Sequence, residues 1–157
     1  MLLPLFQWMD TSALSAYLKS IVWFYAFDQS FHLIALAVFA GAILIVDLRL
    51  LGRGVTQQPV AQVARDAQPW LIGSFLGLIV TGLPQLISVP MKEYYSSYFW
   101  FKMDVLAVAL VFTFTLRRKV AMADEARVGS FWLKVVGLVS IVLWASVAIP
   151  ARLIGLL

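Results

Sequence analysis

The chain has 157 residues, 62% of them hydrophobic and only 13% charged, with a mean hydropathy of +0.92. Soluble domains are nearer half apolar and a quarter charged, so this composition predicts an integral membrane protein. A net charge of +4 and a pI near 9.6 could suit a nucleic-acid partner, but the basic residues fall in two short loops between apolar runs. That is the positive-inside pattern, and it calls for no nucleic acid. The absence of cysteine excludes disulfides, thiolate metal sites, iron–sulfur clusters and covalently attached haem.

Residues 1–29 are hydrophobic but interrupted, without the basic n-region and small-residue cleavage site of a signal peptide. With Asp10 in its midst, the segment reads as part of the mature protein. After Asp10-Thr11-Ser12, a capping cluster, apolar residues recur with helical spacing at Leu14, Tyr17, Leu18, Ile21, Val22 and Phe24. Lys19 interrupts the run, and the uncharged part is too short for a hydrocarbon core of about 30 Å. The segment therefore predicts an interfacial amphipathic helix anchored by Trp23 and Tyr25, with a fifth span as the alternative.

Four spans follow, at about 30–51, 69–90, 98–116 and 131–154. Gly52 and Gly54 close the first, Pro69 and Trp70 open the second, and Arg117-Arg118-Lys119 stops the third. The expected fold is an all-α membrane protein, a single domain over 1–157. It has four transmembrane helices in an up-and-down bundle, preceded by the interfacial helix. The loops after spans one and three hold Arg49, Arg53, Arg65, Arg117, Arg118, Lys119 and Arg127. The opposite flanks hold only Lys19, Lys92 and Arg152, so both termini are expected on the outer side.

Ionisable groups within spans are costly and mark where function should be sought. His32 stands near the outer end of span one. Span two carries an i, i+4 stripe of Gly73, Gly77, Thr81 and Gln85, which turns from small to polar toward the outer side. The Gly73–Gly77 pair is a close-packing signature. Span three enters with Lys102 and Asp104, and span four carries Trp144 and leaves at Arg152. Helix counting thus brings His32, Gln85, Lys102, Trp144 and Arg152 to comparable depth. The bland readings are a helix-end histidine, snorkelling cations, and Trp70, Trp100 and Trp132 as belt residues. Trp144 lies too deep for the belt, so its N–H needs an internal partner. Toward the inner side Asp47 should be paired, with Arg49, Arg117, Arg118 and Lys134 at suitable depth, as a structural clasp.

His32, followed after fourteen residues by Asp47-Leu48-Arg49-Leu50-Leu51-Gly52, carries a resemblance. With Pro69-Trp70, Thr81-Gly82, Phe99-(x)2-Lys102 and the stretch from Trp144 to Arg152, it resembles an uncharacterised family of small four-helix bacterial inner-membrane proteins, domain of unknown function 6644. Ala151 stands where that pattern leads one to expect glycine. More distantly the layout resembles the HemJ-type protoporphyrinogen oxidases and the copper-resistance protein D family, through His32, Ala40-Gly41 and Lys102. HemJ-type proteins bind haem b, so this likeness implies haem with His32 as axial ligand and Lys102 nearby. No second histidine stands near Lys102, where Trp100 and Phe101 are found, which argues against the oxidase activity and against six-coordinate haem within one chain.

The residues support the haem reading in their own right. Haem requires an imidazole for iron, cations for its propionates and apolar walls, which His32, then Lys102 and Arg152, then Phe39, Trp144 and Phe101 would supply. The sixth position would be empty, or filled by Met91, Met103, Lys102 or the His32 of a second copy. The expectation is thus a small membrane redox protein or membrane subunit with non-covalent haem b. Two alternatives are a quinone or lipid-headgroup pocket, and a cofactor-free accessory subunit of a larger complex. Nothing in the sequence suggests a hydrolase, and the charges at the span ends leave no polar path across the midplane for a transporter.

Overall fold

The computed structural model describes residues 2–123 and 125–154, without the side chains of 125, 126 and 152–154. Two short helices come first, α1 (Leu3–Thr11) and α2 (Ala13–Ser20). Ser12 separates them with an extended backbone, and its side chain accepts from the Ser15 N–H, a cap that starts α2. The first long helix, α3 (Phe24–Leu50), begins six residues before the expected span. Its 27 residues reach about 40 Å, more than a hydrocarbon core requires. Gly52 ends it at φ 76°, where Arg53 N–H reaches back to the Leu48 carbonyl and Gly52 N–H to that of Arg49. This glycine-terminated double bond gives the Asp-Leu-Arg-Leu-Leu-Gly segment a local physical meaning: it is a helix stop.

The second long helix, α4 (Val60–Ser88), starts directly after Pro59 and not at Pro69, which lies inside it. The added turns are helical because Val60, Val63 and Ala67 bury themselves against Val46 and Leu50 of α3. The link beyond it is ordered as α5 (Pro90–Tyr95), and Ser96 then caps α6 (Ser97–Phe112). A π-turn at Thr113–Arg117 joins α6 to α7 (Arg118–Met122), so helix continues through the basic triplet to Met122. Then α8 (Glu125–Val128) leads to α9 (Ser130–Ile154). Among the described residues four helices are long and apolar enough to cross a membrane, Phe24–Leu50, Val60–Ser88, Ser97–Met122 and Ser130–Ala151.

Around the bundle α4 packs on α3, α3 on α9 and α9 on α6, while α7 closes the ring against α4. The core has three layers. Val46, Leu50, Val60, Val63, Leu133 and Val136 fill the basic end, and Phe39, Ala42, Ile43 and Leu71 the middle. At the remaining end α1 inserts Phe6 beside Phe99, its ring 5.2 Å from Tyr94 and 6.0 Å from Trp100. The N-terminal segment is thus two short helices packed onto α4 and α5, where the sequence suggested a single interfacial helix lying along the outer surface. Trp100 is likewise no simple belt residue, since its Nε1 donates to the Tyr94 carbonyl at 2.8 Å. Outside these layers Val80, Val111, Leu138 and Val142 are all more than half exposed, as suits helices in contact with lipid.

Gly137 lets α9 touch α3. A Cβ there would stand 3.0 Å from the Asp47 carbonyl oxygen and 3.1 Å from Leu50 Cβ. Gly137→Ala is therefore expected to destabilise the protein by about 1–3 kcal/mol. Gly73 meets nothing within 4 Å, so the close contact of its stripe is made by Gly77 alone, against Ala35. Gly73→Ala should be neutral or stabilising by up to about 1 kcal/mol. Thermal melts of the two variants in detergent check the contrast, and equal melting temperatures would refute it.

Candidate functional site at the His32 end

His32 faces α4. Its Nδ1 lies 2.7 Å from Thr81 Oγ1, and Thr81 donates its own hydroxyl proton to the Gly77 carbonyl at 2.8 Å. With that proton committed, the hydroxyl accepts from His32, which assigns the imidazole proton to Nδ1. Nε2 then carries a lone pair and has no hydrogen-bond partner among the described residues. Gly82 makes room for the ring, since a Cβ on it would stand 3.3 Å from His32 Cε1. The small-to-polar stripe of α4 is thus the surface on which the histidine is seated.

Other polar groups gather around it. Asp28 precedes His32 by one turn on the same face of α3, and the charges of Asp28 and Lys102 both act on the imidazole. Glu93 of α5 lies within electrostatic reach of Tyr25 and Lys102. Asp28 Oδ2, Gln85 Nε2 and Glu93 Oε2 are all buried without a hydrogen-bond partner. Lys102 also sits over the Phe99 ring, 5.2 Å from its centroid. Four helices therefore bring Tyr25, Asp28, His32, Gln85, Glu93 and Lys102 to one end of the bundle.

Trp144 is elsewhere. It packs edge-on against Phe39 at 4.7 Å and donates Nε1 to Thr113 Oγ1 at 3.1 Å. Phe39 is seven residues beyond His32 on α3, about 10 Å further into the bundle. Trp144 therefore belongs to the middle core layer, which corrects the expected common depth. The side chain of Arg152, the other cation assigned here from the sequence, lies outside the described residues. Asp104 is exposed.

At the basic end Arg117 supplies the partner for Asp47. Its Nε donates to Oδ1 at 2.7 Å and its Nη2 to the Ile43 carbonyl at 2.9 Å, with Asp47 fully buried. Ser140 stands beside the carboxylate, but neither Ser140 Oγ nor Asp47 Oδ2 achieves hydrogen-bonding geometry. Arg49 turns away to the Gln58 carbonyl at 2.6 Å, and Arg118 and Lys134 are exposed. The expected set of cations narrows to one.

Asp28 and Glu93 went unnoticed in the sequence, and Tyr25 was read only as an interfacial anchor. The Asp28-(x)3-His32 spacing was a usable signal, whereas Glu93 joins the site only because Pro90 starts a helix that folds back. Burial pushes the Glu93 carboxyl above its usual range, against the opposing pull of Lys102 and Lys92. A carboxyl raised in this way supports the fold fully below the pKa of the unfolded chain, and that support fades as pH rises through the folded value. Glu93→Gln should therefore flatten the loss of thermal stability on going from mildly acidic to neutral pH. Parallel melting-temperature profiles for the two proteins would contradict this.

Fold and site together define an all-α, multi-pass membrane protein with a histidine-centred polar cluster at one end. The chain belongs to the family of unknown function DUF6644, whose match covers residues 5–157. No curated protein and no solved structure matches it.

Proposed function

We propose that the chain is a small membrane-embedded redox protein, or the membrane subunit of one, with a non-covalent haem b held at the His32 end. The observation that carries this reading is the hydrogen-bond polarity at His32. Thr81 takes the Nδ1 proton and fixes the ring, leaving Nε2 unprotonated and unengaged, the state in which an imidazole ligates iron. A single histidine would suffice for haem, because the macrocycle itself supplies most of the iron's ligands. His32 would hold the iron, Lys102 would meet a propionate, and Glu93 in its neutral form could donate to one. When bound, the haem would supply one-electron exchange. Thr81 would orient the imidazole, and the aromatic layer of Phe6, Phe99 and Trp100 at the same end would limit water.

The unpartnered Asp28 Oδ2, Gln85 Nε2 and Glu93 Oε2 favour a second reading, a quinone or lipid-headgroup pocket that uses the same residues without iron. The absorption spectrum of the purified protein, oxidised and reduced, separates the two. A colourless protein that copurifies with other subunits would instead point to an accessory role in a larger complex.

The reading places the protein in a bacterial inner membrane, with the His32 end and both termini on the outer side. Its support is the concentration of arginines at the opposite end. A cysteine introduced at position 57 should resist a membrane-impermeant thiol reagent in intact cells and react after permeabilisation. Labelling in intact cells would reverse the topology.

A further inference from the structure

At the end of the bundle away from His32, a cavity of about 30 Å³ lies between α4 and the third span. That is room for about two waters. Gln68, Thr113, Arg117 and Arg118 supply its polar lining, with Ala42 and Leu71 among its apolar walls. The polar groups are donors in excess. Arg117, only 4% exposed, commits Nε to Asp47 and Nη2 to the Ile43 carbonyl, and its Nη1 has no acceptor among the described residues. Thr113, 2% exposed, accepts from Trp144, while its own hydroxyl proton has no acceptor. Among the described residues Arg118 and Gln68 make no hydrogen bond and no carboxylate lines the space.

Thr113 and Arg117, four residues apart, share one inward face, and the stretch that holds them is wound as a π-turn, a feature that recurs at functional positions. Charge points the same way: Asp47 neutralises Arg117, and Arg118 has no counter-charge among the described residues. Spare donors on a cavity wall, beside a second guanidinium, are complementary to negative charge. We propose that this cavity is an anion site. Its volume suits a halide-sized ion, or the phosphate oxygens of a lipid headgroup entering from the mouth beside Arg118. Basic pockets between membrane helices bind lipid phosphates in this way.

The test is thermal melting of the purified full chain in two series. One compares sodium chloride with sodium gluconate at equal ionic strength in detergent. The other compares phosphatidylcholine nanodiscs with and without phosphatidylglycerol. The expected result is a rise of about 5 °C with at least one anion source. The rise should vanish in Arg118→Gln and persist in Lys119→Gln, an exposed neighbour that does not line the cavity. Because Arg118 is exposed and makes no hydrogen bond among the described residues, its replacement is expected to leave the fold intact. A rise with chloride identifies a free ion, and a rise with phosphatidylglycerol alone identifies the headgroup. No rise in either series, a rise that survives Arg118→Gln, or one lost equally in Lys119→Gln would overturn the proposal and leave the cavity to water.

Discussion

Replacing Asp47 by Asn is expected to destabilise the protein by about 3–5 kcal/mol, a large share of what holds a domain of this size together. The carboxylate is fully buried and Arg117 is 4% exposed, so neither charge can recover its loss in water. In Asp47→Asn the guanidinium keeps the Ile43 carbonyl but loses the only anion within 4 Å among the described residues. The cost is that of stranding a buried cation, not the net worth of the pair. A second variant isolates that difference. Asp47→Asn combined with Arg117→Met removes both charges, and an apolar pair of similar volume often restores stability. The double variant should therefore melt well above Asp47→Asn alone. If the single variant melts like the wild type, the clasp is not structural. Any cofactor spectrum should be unaltered, because Asp47 lies about 20 Å along α3 from His32.

His32→Ala is expected to abolish the Soret band outright. It removes the one imidazole in the chain, and no other residue at this end offers an unengaged nitrogen with a lone pair in a fixed position. Two graded variants separate ligation from support. Thr81→Val removes the acceptor that holds Nδ1–H and should weaken haem retention by about 10- to 100-fold, the usual scale for a lost partner of a ligating histidine. Lys102→Ala should loosen haem retention while leaving the ligand field, and so the band positions, unchanged. An unaltered spectrum in His32→Ala would return His32 to the role of a histidine hydrogen-bonded to a neighbouring helix.

Much of the architecture was legible, because apolar runs of spanning length leave few alternatives. The helix limits were not. The sequence reads Pro69-Trp70 as the start of one span and Arg117-Arg118-Lys119 as the end of another, yet backbone hydrogen bonding continues past both. The first is carried by the burial of Val60 and Val63, and the second by the inward turn of Arg117. That Asp47 needs a cation could be read from its depth. Which cation it takes could not, since the answer lies 70 residues away in a π-turn no spacing rule announces. The α4 stripe was readable as a face that grows polar, and Thr81 meets His32 on it. The depth of Trp144 failed for a related reason. Counting along one helix fixes positions within it, but the offset between α9 and α3 is set by Gly137 against Leu50. The demand for an internal partner to its N–H was sounder, and Thr113 meets it.

The most direct measurement is the absorption spectrum of the wild-type protein, purified in mild detergent from haem-replete cells and recorded oxidised and then reduced. The account predicts a Soret band that shifts on reduction, with the haem extractable by acidic organic solvent because no cysteine tethers it. A colourless protein with an intact fold would contradict it.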